Sequence, residues 1–476
     1  MDPTVIIPFV SYFLVVLLIG FFSAKFSSKG LSEYYLGGRK MSFFVVALSA
    51  VVSGRSAWLL LGFVGQSYTM GLSAIWAVVG YIVVELLLFL VYAPAIRNYT
   101  GKHNCITVTD FFTSRFEDRN GRLRLLIVVI FTIFMVTYVA AQFVGGGKAF
   151  FTYFGIRQNT GLIITAVIVM FYTIIGGFLA VSLTDVVQAI VMLIALLGVP
   201  VAAIIKSGDM HTITETLNGL NSAYFNPVAF GFGSMISLLG IGLGSPGNPH
   251  ILVRYMSIKD PTRLKWSAIV GTTWNVLLAG GAFMIGILAR FYFPVESMLP
   301  DSDPENAFLA LSMELLPVGL VGIILAAIFA AIMSTADSQL LVAASSIVRD
   351  FYQKYLHRTR TIPEIKLTFL SRLTVGGLVY LAVVMGLLVE DIVFWFVLFA
   401  WAGLGAAIGP TSIQALFFKK TTRKGVMAGM ISGTLTVFIW KSIPFLSEFL
   451  YELIPGFLVS WIVTYLVSEF DRARTS

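Results

Sequence analysis

Charge is scarce in this chain, and its scarcity excludes most soluble architectures. Only 12% of the 476 residues are Asp, Glu, Lys or Arg, while 58% are hydrophobic. Soluble domains carry about 25% charged and about 45–50% apolar residues, so a water-soluble fold of this length could not cover itself with polar surface. Cysteine is nearly absent: Cys105 stands alone, which rules out an intrachain disulfide and any cysteine metal cluster. The four histidines, His103, His211, His250 and His357, show no pair at helical ligand spacing, so no structural metal is expected. A GxSxG elbow, an HExxH motif and a nucleophile–base set are also missing, which argues against an enzyme. The apolar N-terminus has Asp2 in place of a basic leader and lacks a small-x-small site. It reads as a retained helix rather than a cleaved signal.

Long apolar runs are what the sequence has in plenty. A bilayer core about 30 Å thick needs about 20 apolar residues per helix, and the chain offers about thirteen such runs. Their limits are 4–25, 42–70, 74–96, 123–150, 160–181, 184–205, 225–253, 266–292, 306–348, 368–389, 391–417, 425–446 and 448–468. The run at 306–348 is too long for one plain span and predicts an added approach helix. Most of the 32 lysines and arginines fall in alternate connections. Lys25, Lys29, Arg39 and Lys40 lie in the first, Arg97 to Arg124 in the third, and Arg254, Lys259, Arg263 and Lys265 in the seventh. Arg349 to Arg372, Lys419 to Lys424 and the tail residues Arg472 and Arg474 continue the pattern. The intervening connections carry the acidic cluster Glu296, Asp301, Asp303 and Glu305. This alternation predicts an outside N-terminus and a cytoplasmic C-terminus, in an all-α polytopic protein of the cell (inner) membrane.

Two spans are interrupted. The second contains Ser53-Gly54-Arg55-Ser56, and the seventh runs from Gly240 to Pro249 with Pro246 between glycines. Glycine and proline weaken a helix, and broken backbone at membrane depth survives only where it lines a cavity or is buried in protein. The breaks stand at matching positions of two five-helix blocks, which predicts an inverted-repeat transporter with its site at the breaks. The chain then divides into an extra helix (4–25), a first repeat (42–205), a second repeat (225–417) and two C-terminal helices (425–468), all one transmembrane domain spanning 1–476. Gly145-Gly146-Gly147, without proline, reads instead as a helix-packing face.

Several segments carry a family resemblance: Tyr35-Leu36-Gly37-Gly38-Arg39, Ala47-Leu48-Ser49-Ala50, Trp58-Leu59-Leu60 and the stretch Gly176 to Asp185. Pro249-His250-Ile251-Leu252, Met333-Ser334-Thr335, Ser338 to Val342, Ala400-Trp401-Ala402-Gly403 and Thr422-Arg423-Lys424-Gly425 add to it. Together they resemble the sodium/solute symporter family, above all its proline-transporting bacterial members, from about residue 30 to about 440. The resemblance implies a LeuT-like fold and sodium-coupled symport, by alternating access, of a small polar solute: an amino acid such as proline, or a related small carboxylate. It implies no cofactor, with Na⁺ as coupling ion. It also implies a sodium site built from the carbonyls of Val52, Arg55 and Ala331 with the hydroxyls of Ser334 and Thr335. Neutral oxygens freed by a broken helix suit such an ion; the plain structural alternative is a hydroxyl bonded back to its own helix.

In some family members an aspartate at the place of Asp185 joins serines of the ninth span in a second sodium site. Here those positions read Asp337 and Ser338, and two carboxylates in one small site need a cation or a proton between them. Asp185, Ser334, Asp337 and Ser338 are thus a candidate second cation or proton site, with a helix N-cap the alternative for Asp185. Arg55 departs from the family: the proline-transporting members have an Asp-Met pair where this chain has Gly54-Arg55. A mid-membrane guanidinium needs a partner. Three readings stand: an ion pair with Glu85 or Asp337, a clamp on a substrate carboxylate, or occupation of the cation site, which would make transport proton-coupled. By position the resemblance places substrate contacts at Ser53, Ser56, Trp58, Tyr138, Gln142, Ile241, Ser245 and Trp401. The proline-transporting members have Trp and Tyr at the places of Ile241 and Ser245. A non-transporting solute sensor is the remaining alternative; concentrative uptake separates it from a symporter.

Overall fold

A computed structural model describes residues 3–27, 31–358, 360, 362–389 and 392–473. Lys29 and Arg474 of the charge pattern, and Asp391 at the start of the expected eleventh span, lie outside the described residues. Helices make up 87% of the structure, with no strand among the described residues. The first half holds α1 (Pro3–Ser27), α2 (Leu31–Leu36), α3 (Phe43–Ser53), α4 (Val64–Met70), α5 (Ile75–Leu87), α6 (Ala93–Lys102), α7 (Val108–Arg115), α8 (Arg122–Phe154) and α9 (Gln158–Ser207). After α10 (Met210–Leu220) come α11 (Gly231–Gly240), α12 (Pro249–Ser257), α13 (Leu264–Tyr292), α14 (Ala307–Leu315) and α15 (Val318–Ser345). The chain closes with α16 (Glu364–Leu388), α17 (Val393–Phe417), α18 (Arg423–Ser442), α19 (Pro444–Phe449) and α20 (Leu453–Ala473). Among the described residues, nine helices are long and apolar enough to cross a membrane. The protein is a multi-pass membrane protein.

Burial sorts these helices into a centre and a rim. In α17, 89% of the most apolar stretch is buried, and in the helix that begins at Val318 the figure is 78%, against 28% for α1 and 33% for α16. The rim helices turn Phe21, Phe22, Ile205, Phe369 and Phe470 outward, as lipid-facing surfaces do, because lipid removes the cost of exposing them. The centre is made of the two interrupted helices, α8, α15 and α17. Its glycines allow close approach: a Cβ on Gly62 would stand 2.9 Å from the Cα of Phe394 in α17, and one on Gly65 would stand 3.0 Å from the Glu305 amide nitrogen.

Local chemistry sets the ends. The Ser42 hydroxyl accepts the Val45 N–H at 3.3 Å and starts α3. Thr107 and Asp110 form a reciprocal capping box at α7, satisfying two donors that helical geometry leaves over. Two expectations are corrected, those for Asp185 and Arg254. The Gly-Gly step at 176–177 separates two helices within α9, Gly177 standing non-helical at φ +65° and ψ −177°. Asp185 therefore lies about two turns past that step and does not cap a helix. The long run at 306–348 divides at Leu316-Pro317 into α14 and α15, in line with the added helix its length called for, because Pro317 has no N–H to continue the ladder. Arg254, read as part of a basic connection, is 1% exposed and sits within α12.

Candidate ion and substrate sites

The first break follows from three residues. Gly54 closes α3, its N–H reaching the Val51 carbonyl at 3.0 Å. Ser56 then takes φ +46°, a left-handed conformation uncommon outside glycine. Its own hydroxyl stabilises the turn by accepting the Trp58 N–H at 3.0 Å. The loose Ala57 N–H is taken by the Gln142 side-chain oxygen of α8 at 2.9 Å. The chain re-enters helix through a wide, π-helical turn, Trp58–Phe63, ahead of α4.

Two carbonyls at this break face α15, that of Val52 also accepting the Arg55 N–H at 3.1 Å. Ser334 Oγ donates toward Val52 O at 3.3 Å and toward Ala331 O at 3.1 Å. A hydroxyl has one proton, so these three oxygens form a small acceptor-rich cluster suited to a hard monovalent cation. Thr335 Oγ1 turns one residue along and donates to Ser53 O at 2.9 Å. The Arg55 carbonyl accepts the Leu59 N–H at 2.9 Å. Of the five candidate ligands, then, Val52, Ala331 and Ser334 meet, Thr335 stands beside them, and the Arg55 oxygen is engaged in its own helix. The Ser334 and Thr335 side chains are both fully buried.

Arg55 points the other way, into an ion pair with Glu85 of α5; the two side chains are 2% and 3% exposed. Its guanidinium lies 3.9 Å over the Tyr81 ring. Glu85 also accepts from Asn275 of α13 at 2.7 Å and from Ser245 at 3.4 Å. One carboxylate thus joins the first break, the second break and α13. The second break is a tight 3-10 stretch, Ile241–Gly247, ending at extended Asn248. The Trp401 ring N–H of α17 donates to the Ile241 carbonyl at 2.8 Å. Tyr138 sits edge-on to Trp401 at 6.4 Å, its hydroxyl 3.5 Å from Ser56 Oγ. Trp58 stacks between Phe63 and Phe394, each 5.6 Å away. Ser53 is tied to its own helix through the Ser49 carbonyl. The candidate substrate residues therefore surround the two breaks, with Trp58 stacked toward the start of α17.

A second buried polar cluster lies further along the same helices. Asp185 Oδ2 accepts from Ser49 Oγ at 2.5 Å and from Arg254 Nη2 at 3.3 Å. Arg254 also donates to Ser338 Oγ, to Ser49 Oγ at 3.0 Å and to the His250 carbonyl at 2.7 Å. Ser338 Oγ stands 3.2 Å from Asp337 Oδ1 and 2.6 Å from the Ser334 carbonyl. Ser334 itself serves the first cluster, so it links the two sites rather than joining Asp185. Arg254, Ser49 and Asn275 are absent from the sequence-based set. Arg254 carried a usable signal, since it follows His250 by four residues on a helix started by Pro249; Ser49 and Asn275 carried none.

Against known proteins, the family model described as the sodium:solute symporter family matches residues 34–433. This chain belongs to the sodium:solute symporter family. The sodium/proline symporter of Staphylococcus aureus (strain JH9) is 38% identical over 472 residues, covering 97% of this chain and 91% of that protein; the strain NCTC 8325 protein matches equally. Among solved structures, a substrate-bound, outward-open Na⁺-coupled sialic acid symporter superposes with a TM-score of 0.82. It is 19% identical, with 98% of each chain covered. Mhp1, a nucleobase-cation-symport-1 family transporter, gives a TM-score of 0.58 at 12% identity, over 92% of this chain and 95% of that one. MhsT in complex with L-phenylalanine gives 0.56 at 15%, over 90% and 99%. The fold is thus that of LeuT-like transporters. Membership in the symporter family supports sodium-coupled transport of a small solute.

Proposed function

We propose that this chain carries a small polar solute, an amino acid such as proline or a related small carboxylate, into the cell with Na⁺ by alternating access. The observation that carries this reading is the oxygen cluster of Val52, Ala331 and Ser334, held between a broken helix and α15 in a chain of the sodium:solute symporter family. The relative named a sodium/proline symporter supports an amino-acid substrate. The reading includes thirteen spans, two repeats at 42–205 and 225–417, an outside N-terminus, a cytoplasmic C-terminus and residence in the cell (inner) membrane. Na⁺ is cargo, bound where the loosened carbonyls and the Ser334 and Thr335 hydroxyls replace its water. Replacing both, Ser334→Ala with Thr335→Ala, is expected to raise the Na⁺ concentration for half-maximal uptake about tenfold, the effect of about 1.4 kcal/mol. Unchanged sodium dependence in a well-folded double variant would remove the site.

Proton coupling is a second reading, favoured by one observation. Asp185 Oδ1 and Asp337 Oδ2 are both buried without a hydrogen-bond partner, with the Arg254 guanidinium beside them. Two carboxylates and one guanidinium leave a net negative charge that a proton or a second cation would neutralise.

A further inference from the structure

The Arg55–Glu85 pair is unevenly satisfied, and the imbalance has a direction. Glu85 is well supplied, accepting from Arg55, Asn275 and Ser245. Arg55 has five N–H groups, yet its bond to Glu85 uses Nη2 alone, and its Nε is buried without an acceptor. Two more donors at the same break are short of acceptors. Gln142 is fixed by the Ala57 N–H on its oxygen, which leaves its Nε2 buried and unpartnered. The Trp58 ring nitrogen is buried without an acceptor too. Buried polar groups are ordinarily satisfied, and each exception calls for a reason. Two donors on the break and one on α8 beside it all lack the same thing, a group rich in acceptors.

On the far side of the pair the deficiency is reversed. Asn275 donates to Glu85, but its own oxygen is buried without a donor.

We infer that the Arg55–Glu85 ion pair reads the two charges of a zwitterionic substrate: its carboxylate on Arg55 with Gln142, its ammonium on Glu85 with Asn275. This rests on the amino-acid reading above and goes beyond it by assigning the residues that choose the substrate. Binding then exchanges one pair of charges for two and leaves the buried net charge at zero. A neutral solute leaves the Arg55–Glu85 pair intact but its spare donors short of a charged acceptor, and a plain carboxylate adds a buried negative charge that no ammonium offsets. Either costs affinity, the first through unsatisfied donors and the second through an unpaired buried charge. Arginine suits the task because its planar fork can hold Glu85 on one edge and a carboxylate on the other.

The test uses the full chain in lipid nanodiscs at saturating Na⁺. Binding of L-proline, L-alanine and L-serine is compared with that of their amides and their N-acetyl forms. The free amino acids are expected to bind about tenfold to a hundredfold tighter than either derivative, the effect of one charge-assisted hydrogen bond. In Arg55→Met the preference for acid over amide falls to about onefold; in Glu85→Gln the preference over the N-acetyl form falls likewise. Arg55→Lys keeps both. The double variant Arg55→Met/Glu85→Gln buries no lone charge and so guards against misfolding; it loses both preferences. An acid-over-amide preference that survives in the double variant overturns the inference, as does failure of all three amino acids to bind the parent protein. Discrimination that persists while binding ignores Na⁺ overturns the coupling reading alone.

Discussion

Single charged side chains decide how much of this protein is held together away from water. Arg254 is 1% exposed and serves Asp185, Ser338, Ser49 and the His250 carbonyl together. Removing one member of a buried pair leaves the other uncompensated, at a cost of about 3–5 kcal/mol. Arg254→Met is therefore expected to lower the thermal midpoint strongly, and Arg254→Lys much less. Added Na⁺ should raise the midpoint of Arg254→Met more than that of the parent, because a cation can take the guanidinium's place beside Asp185. Equal Na⁺ effects on the two proteins would contradict that. At this scale the sequence was legible where a charge stood alone. Arg55 and Glu85 each interrupt a long apolar run, so each demanded a partner. Arg254 was hidden by Lys259, Arg263 and Lys265 just after it, which made one buried cation look like part of a basic loop. Asn275 and Ser49 are ordinary polar residues in helices, and only packing reveals what they touch.

At the scale of elements, the second half of the first interrupted helix is locked against α17 and the segment before α14 by contacts with no slack. Gly62 meets Phe394 backbone, and Gly65 meets the Pro304-Glu305 backbone. Glu305 accepts the N–H groups of Val393 and Phe394 at 3.0 and 2.8 Å, which caps the start of α17, and it also pairs with Lys148 of α8. Gly62→Ala is expected to hold this seam apart. A cysteine placed at Ser245 should then react faster with a membrane-impermeant maleimide added outside, Cys105 being buried. No change in labelling would argue that the seam does not gate access. At the cap of α7, Asp110 joins Arg349 at 3.1 Å and Arg124 at 3.3 Å. Burial pushes its carboxyl up, but the two guanidinium groups outweigh that and hold it below the usual range. A depressed carboxylate stabilises the fold above its unfolded pKa of about 3.9 and loses that contribution as pH falls further. Asp110→Asn should lower the thermal midpoint at pH 7 and flatten its fall below about pH 4. The positions of both breaks were legible from Gly and Pro. Their forms were not: a left-handed serine in one and a 3-10 stretch in the other depend on Gln142, Trp401 and Glu85, which lie far away in sequence.

For the whole molecule, an all-helical polytopic fold was readable because lipid imposes long apolar runs on any chain that crosses it. The separation of the fifth and sixth runs at Gly177 and the division of the ninth at Pro317 were legible from the Gly-Gly step and from length. What composition could not place was the residue at which each helix turns, which rests on single backbone angles rather than on hydrophobicity. The family was legible from dispersed motifs, several of whose residues, among them Trp58, Ser334, Thr335 and Trp401, now stand at the two breaks and on α15. The account's central claim is that this assembly converts an ion gradient into solute accumulation. Its most direct test is uptake into proteoliposomes of labelled L-proline within a mixed panel of amino acids and small carboxylates. An inward Na⁺ gradient is compared with an inward proton gradient at matched voltage. Accumulation above equilibrium driven by Na⁺, and lost in the Ser334→Ala/Thr335→Ala variant, is the result predicted. Accumulation driven only by protons would contradict sodium coupling and move the energetics to Asp185, Asp337 and Arg254, and equilibration without accumulation would contradict symport itself.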